Sequence, residues 1–287
     1  MERLKKLIIK SPTPGTSLAI FGAIHGNEPA GSIAIQNIYD RLVSDDLVLK
    51  RGHVTFVPIA NPKAYAENKR FIEEDLNRVF RDTENPQTYE QELANKLGNY
   101  IKESEVFLDI HTTSAPGPTC VFIDFPTPEN TAFAEAMGME YAITGWPSVY
   151  AHNPNGLDSY DTTRYAYEQG KIGIIIECGQ HEESGAIPIA ERSILRALAH
   201  FGMIDLADLE LGPVTAQQTI IMEQIVYKEH NEDSFVKKWK HLEEVKEGTV
   251  LAIRADGNEI RAEKDLILLL PKHNAQAGQE WFYVGTK

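Results

Sequence analysis

Cysteine is nearly absent from this chain: its 287 residues include only Cys120 and Cys178. Two are too few for a disulfide scaffold, so a buried core must hold the fold, and a reducing compartment, the cytoplasm, is expected. Long apolar runs are missing as well. No stretch approaches the ~20 apolar residues of a membrane span, and the N-terminal run Leu7-Ile8-Ile9 is too short for a signal peptide. Basic residues are in deficit, with 28 Lys and Arg against 42 Asp and Glu and a net charge of -14. Phosphate binding needs surplus Lys and Arg, so nucleic acid is not an expected partner. An anionic small molecule would need a local Arg cluster to overcome the global field. Internal repeats and low-complexity tracts are also lacking. What remains, 42% hydrophobic and 24% charged, is ordinary for a soluble globular protein. The length suits one large domain, or a large and a small one, and leaves homo-oligomerisation open.

Residues 17–24, 53–61, 106–111, 119–125 and 171–177 are short apolar runs that read as strands. The run at 171–177 is apolar on both faces, as in a covered sheet. Helical spacing separates them: Ile35, Ile38 and Leu42; Leu93, Leu97 and Ile101; 129–137; 158–169, closed by Gly170; and 188–201, followed by Gly202. Residues 69–80 show neither period and read as loop, and Pro154-Asn155-Gly156 reads as a turn. Strands alternating with helices to about residue 203 predict an α/β fold, a mixed sheet with helices on both faces. Beyond it, 219–227, 249–254, 259–261, 266–270 and 281–284 are β-rich, with a hairpin signal at Asp256-Gly257-Asn258. The expected division is 1–203 as a catalytic domain and 204–287 as a small, mostly β domain.

Chemistry gathers at the strand ends, where open α/β sheets bind ligands. His25 and Glu28 lie where the first strand hands over to a helix, with Pro29 suited to that helix's first turn. Gly26 is expected to let the backbone bend between them. An imidazole and a carboxylate three residues apart can reach one metal ion; a buried histidine beside a helix-capping glutamate would read the same way. Asp109 and His111 end a third strand. Glu177 ends the most apolar strand, where an ionisable group needs a partner or a task. His25, Glu28 and His111 form a two-histidine, one-carboxylate set of the kind that holds catalytic zinc with one position open. Zinc lowers the pKa of its water to about 7, and Glu177 is the candidate general base. Asp109, on the same side of its strand as His111, holds the imidazole or caps a neighbouring helix. Cys178 falls on the face opposite Glu177 and reads as packing. His53, His152 and His181 read as structural or solvent-exposed.

His25-Gly26-Asn27-Glu28, Asp75-Leu76-Asn77-Arg78-Val79-Phe80, Asp109-Ile110-His111-Thr112-Thr113 and Glu177-Cys178-Gly179 occur in that order. Together they resemble the succinylglutamate desuccinylase/aspartoacylase family of the zinc carboxypeptidase clan. Tyr160-Asp161-Thr162-Thr163-Arg164 resembles a further motif of the aspartoacylase branch. The resemblance implies a zinc-carboxypeptidase-like fold, one zinc per chain on His25, Glu28 and His111, and Glu177 as general base and proton shuttle. It implies Arg70 as the group that polarises the scissile carbonyl, and Asn77 and Arg78 as a carboxylate-binding pair. Arg164, with Tyr160 beside it, would be a second carboxylate clamp, and Tyr283 a substrate-binding tyrosine from the β domain. Read from the residues alone, Arg70, Arg78 and Arg164 serve equally as surface residues and Asn77 as a turn residue.

The implied activity is a zinc-dependent amidohydrolase that deacylates a small anionic N-acyl amino acid. A metallocarboxypeptidase acting on peptide C-termini is the alternative; a cap built from 204–287 would restrict long substrates. Thr112 and the segment after Glu177 depart from the family pattern, which leaves the acyl-side pocket undefined.

Overall fold

Residues 106–113 are buried at every position, which a strand achieves only with neighbours on both edges and layers on both faces. The computed structural model of the chain, which describes residues 4–151, 159–205, 211–212 and 215–287, supplies both. In chain order the strands are β1 (Leu7–Lys10), β2 (Ser17–Gly22), β3 (His53–Val57), β4 (Val106–Thr113), β5 (Cys120–Phe122), β6 (Tyr141–Thr144) and β7 (Ile172–Gln180). They continue as β8 (Gln218–Tyr227), β9 (Ser234–Phe235), β10 (Glu243–Val245), β11 (Val250–Ile253), β12 (Glu259–Arg261), β13 (Leu266–Leu269) and β14 (Glu280–Thr286). The helices are α1 (Pro29–Val43), α2 (Pro62–Ala66), α3 (Tyr89–Lys102), α4 (Pro128–Ala136), α5 (Trp146–Ala151), α6 (Thr162–Glu168) and α7 (Ala186–His200).

Eleven strands form one mixed sheet in the order β1-β3-β2-β4-β7-β5-β6-β8-β14-β13-β10. Its centre, β3-β2-β4-β7, is parallel. Alternate side chains of β2 enter opposite layers: Leu18 and Ile20 pack with Ile35 and Ile38 of α1 and Ile194 and Leu198 of α7. Ala19 and Phe21 pack with Leu93 and Leu97 of α3 and Tyr165 of α6. The expected α/β architecture with helices on both faces is present. β3 lies to one side of β2 and β4 to the other. The chain therefore reverses its direction of winding at β2, and a crevice opens at the carboxyl ends of β2 and β4.

The β-rich texture after residue 203 is present too, but most of its strands prolong the same sheet. β8 joins β6 in parallel, and β14, β13 and β10 follow antiparallel. Only β9, β11 and β12 form a separate small sheet, over a cluster containing Trp239, Leu251, Trp281 and Phe282. Gly257, at φ 86°, makes the β11–β12 turn. Two four-residue strands, β1 and β6, and the short helices α2 and α5 carry too few residues for a period to show in sequence. The 154–156 turn and His152 lie outside the described residues. Among those described, no helix is long and apolar enough to cross a membrane.

Candidate active site

β2 ends at Gly22, and the chain then turns through Ala23 at φ 51°. Left-handed backbone costs a non-glycine residue roughly 1–2 kcal/mol. Two backbone bonds hold the turn, Ala60 N–H to Gly22 O at 2.9 Å and Asn61 N–H to Ala23 O at 3.0 Å. The expected bend between His25 and Glu28 is present as well: Glu28 N–H donates to His25 O at 3.1 Å across a turn at Gly26-Asn27. Gly26 also meets a packing demand: a Cβ there would lie 2.0 Å from the Ala64 carbonyl carbon of α2. Glu28 then occupies the N-cap of α1 without using its side chain to cap it, which frees the carboxylate to face the crevice.

His25, Glu28 and His111 are brought together at 3%, 2% and 3% exposure. His25 Nδ1 lies 2.8 Å from Glu28 Oε1, His111 Nδ1 lies 3.1 Å from Glu28 Oε2, and the two Nδ1 atoms are 3.2 Å apart. Bonds of ~2.05 Å at tetrahedral angles would place such ligand atoms roughly 3.3 Å apart, so the spacing fits a metal ion. The charge fits as well. Glu28, Asp75 and Asp109 surround the two imidazoles, with Glu177 beside His111, an acidic setting that suits a dication. The trio can therefore hold a metal ion.

The outer partners are also in place. Asp75 lies 3.1 Å from His25 Nε2 and accepts from Arg70 Nε at 2.9 Å. Burial would raise its pKa, but Arg70 and His25 hold it well below the carboxylate range. Of the two roles expected of Asp109, the imidazole contact is present, with Oδ2 3.1 Å from His111 Nε2; the helix cap is not, since Asp161 caps α6 and Asp109 Oδ2 accepts from the Thr162 hydroxyl at 2.6 Å. Such partners fix imidazole tautomer and orientation.

Glu177 ends the covered part of β7, 9% exposed, and its Oε2 has no hydrogen-bond partner among the described residues. Burial, then the neighbouring Glu28 charge, pushes its carboxyl up to about 8. Cys178 points the other way, into the α1–α7 layer. Arg70 reaches the trio, with Nη1 3.5 Å from Glu28 Oε1. Its loop is anchored by Glu90 of α3, whose buried carboxylate accepts from the backbone N–H groups of Ile72, Glu73 and Glu74.

Residues 69–80 are loop as expected, save a 3₁₀ turn at Leu76–Arg78. Asn77 and Arg78 line the cavity, with Asn77 Oδ1 accepting from Thr162 N–H at 3.0 Å. Arg78, however, already holds a carboxylate. Its Nε and Nη2 donate to the two oxygens of Glu280, each at 2.9 Å, and Lys272 donates to the same group at 2.6 Å. The Tyr150 hydroxyl also donates to Glu280. Tyr283 is fully buried, lines the cavity and meets Tyr150 hydroxyl to hydroxyl at 2.9 Å.

Arg164 and Tyr160 are not among the cavity-lining residues. The guanidinium stacks 3.7 Å over the Tyr160 ring and pairs with Glu168 one turn on, and neither side chain reaches the cavity. His181, read as structural or exposed, lines the cavity and meets the Thr112 hydroxyl at 2.8 Å. Sequence reasoning also missed Asp124, Asp161, Lys272 and Glu280. All but Glu280 line the cavity, which measures about 620 Å³. Two of the missed groups had a signal, since Asp161 stands in a quoted motif and Glu280 beside Tyr283.

Residues 14–201 match the model of the succinylglutamate desuccinylase/aspartoacylase catalytic domain. The chain belongs to the succinylglutamate desuccinylase/aspartoacylase family. A probable aspartoacylase of Parasynechococcus marenigrum is 30% identical over 168 residues, covering 56% of this chain and 52% of the relative. The chain thus spans about half the length of that relative. A succinylglutamate desuccinylase of Shewanella is 25% identical over 274 residues, covering 88% and 76%. An N-alpha-acetyl-L-2,4-diaminobutyric acid deacetylase of Halomonas elongata is 27% identical over 208 residues, covering 67% and 56%. The crystal structure of a succinylglutamate desuccinylase/aspartoacylase from Rhodobacter sphaeroides superposes with a TM-score of 0.76 at 20% identity, over 98% of this chain and 89% of that one. That likeness carries the family fold through the β-rich segment, beyond the 14–201 match.

Proposed function

We propose that the chain is a zinc-dependent amidohydrolase that deacylates a small N-acyl amino acid. The carrying observation is the convergence of His25, Glu28 and His111 on one point of a cavity that also holds the buried carboxylate oxygen of Glu177, unpartnered among the described residues. Relatives named as aspartoacylase, desuccinylase and deacetylase support the same reaction class.

Zinc on the trio would supply Lewis acidity, activating a water and polarising the acyl carbonyl. Glu177 takes the proton of the attacking water and hands it to the amide nitrogen as the amine departs. Arg70 presents its guanidinium beside Glu28 and stabilises the developing oxyanion, a term worth roughly 3–4 kcal/mol per donor. Asn77 and Tyr283 orient the substrate; Arg78 does so only in concert with Glu280, which occupies its fork. Asp75 and Asp109 hold the imidazoles in place.

We further propose that 204–287 acts as a cap over the site of the 1–203 half. Lys272, His273, Asn274 and Ala275 line the cavity, which favours a small substrate over a peptide C-terminus. Two unpaired thiols, both buried, suit cytoplasmic residence.

The test is elemental analysis of purified protein with a screen of N-acetyl, N-succinyl and peptide amides. About one zinc per chain and turnover of small N-acyl amino acids are expected. Faster turnover of tripeptides than of acyl amino acids would replace this reading with the carboxypeptidase one.

A further inference from the structure

Two carboxylates that line the cavity have no place in the mechanism above. Asp124, just past β5, is 7% exposed, and Asp161, at the N-cap of α6, is 2% exposed; both line the cavity. Asp124 Oδ1 has no hydrogen-bond partner among the described residues. Asp124 Oδ2 and Asp161 Oδ1 each lie 2.7 Å from the Thr163 hydroxyl. That hydroxyl has one proton and can donate to one of them only. The pair is short of positive charge.

The nearby cations do not make up the deficit. Arg78 and Lys272 are held by Glu280, so among the described residues neither is free to pair with Asp124 or Asp161. Arg70 is engaged by Asp75 and Glu28 at the metal-binding end. Lys69 is paired with Glu67 and more than half exposed. Burial raises both Asp pKa values, and at Asp124 the neighbouring Asp161 charge adds to it. Phe122 and Tyr283 line the same cavity.

We propose that Asp124 and Asp161 form a subsite for a cationic nitrogen, so that the amine half of the substrate is a diamino acid acylated on one nitrogen and protonated on the other. The inference rests on the deacylase reading and refines its substrate from anionic to one bearing a basic group. Glu280 already fills the Arg78 fork that a second substrate carboxylate would need.

Three side chains of similar length test it: Nα-acetylornithine (cationic), Nα-acetylnorleucine (neutral) and Nα-acetylglutamate (anionic). The expected kcat/KM for the ornithine amide exceeds that for the norleucine amide at least ten-fold. Asp124→Asn and Asp161→Asn should each cut that ratio about ten-fold or more; Asn keeps shape and N-capping ability. A ratio within one variant cancels any loss of folded protein. Preference for the neutral or anionic amide, or a ratio unmoved by both substitutions, overturns the subsite. Calorimetry with free ornithine and norleucine on the full-length protein separates the two layers of inference. If no amide is hydrolysed, the deacylase reading falls. Ornithine binding with no norleucine binding would still uphold the cation subsite, and equal or absent binding would end it.

Discussion

Glu280→Gln should unfold this protein more readily than any other isosteric change near the cavity. The Glu280 carboxylate is 14% exposed and receives Arg78 through two 2.9 Å bonds and Lys272 through one of 2.6 Å, with the Tyr150 hydroxyl as a fourth donor. Burial would depress the pKa of Arg78, yet Glu280 outweighs it and drives the guanidinium pKa well upward. Glutamine removes the charge and turns one acceptor into a donor facing another donor. Two cations, 16% and 25% exposed, then repel without a counter-ion. Removing one partner of a buried pair costs about 3–5 kcal/mol. Water reaching Lys272 discounts this to about 3 kcal/mol. Urea denaturation of wild type, Glu280→Gln, Arg78→Met and the double variant closes the cycle, with coupling of about 2 kcal/mol expected. Additivity to within about 0.5 kcal/mol would refute the cluster as a strut between the 3₁₀ turn and β14.

Four further outcomes are expected. Glu177→Gln should lower kcat about 10³-fold at unchanged metal content; a fall of under ten-fold would remove Glu177 as the base. Dialysis against a chelator should abolish turnover and lower Tm, with zinc restoring both; an unchanged Tm would mean that His25, Glu28 and His111 bind nothing. Gly26→Ala should cost at least 1–3 kcal/mol, because its Cβ would overlap Ala64 backbone rather than a side chain; a Tm equal to wild type would contradict that packing. The last concerns pH. His241 is buried, accepts from Leu270 N–H through Nδ1 and meets Cys120 Sγ through Nε2, and burial lowers its pKa from 6.5 to about 3. A folded-state value below the unfolded one means stability is intact above pH 6.5 and lost as pH falls toward 3, at about 1.4 kcal/mol per unit. Between pH 6.5 and 4.5, His241→Asn should escape roughly 2 kcal/mol of the wild-type loss in urea titrations; parallel pH profiles would refute it.

Groups whose burial contradicts their chemistry were legible in the sequence. Glu177 follows Ile174-Ile175-Ile176, and His111 ends a strand that opens Val106-Phe107-Leu108. Ionisable side chains in such runs stand out because the sheet's apolar pattern fixes where they sit, and β4 pairs His111 directly with Glu177. Charge compensation was not legible, because it depends on pairs far apart in the chain. Arg78 and Glu280 are separated by 202 positions, and no local pattern shows that a guanidinium is already taken. Arg164 misled for the opposite reason. Its motif matched, but Glu168 stands one helical turn away with Tyr160 under its face, and local partners hold it outside the cavity. The carboxylate clamp read from residues 77, 78 and 164 is thus, in the folded chain, one arginine filled from within and one turned outward. Of the cavity-lining residues, Asp124 and Asp161 are carboxylates without a role in the proposed hydrolysis, and it is these two that argue for a cationic substrate.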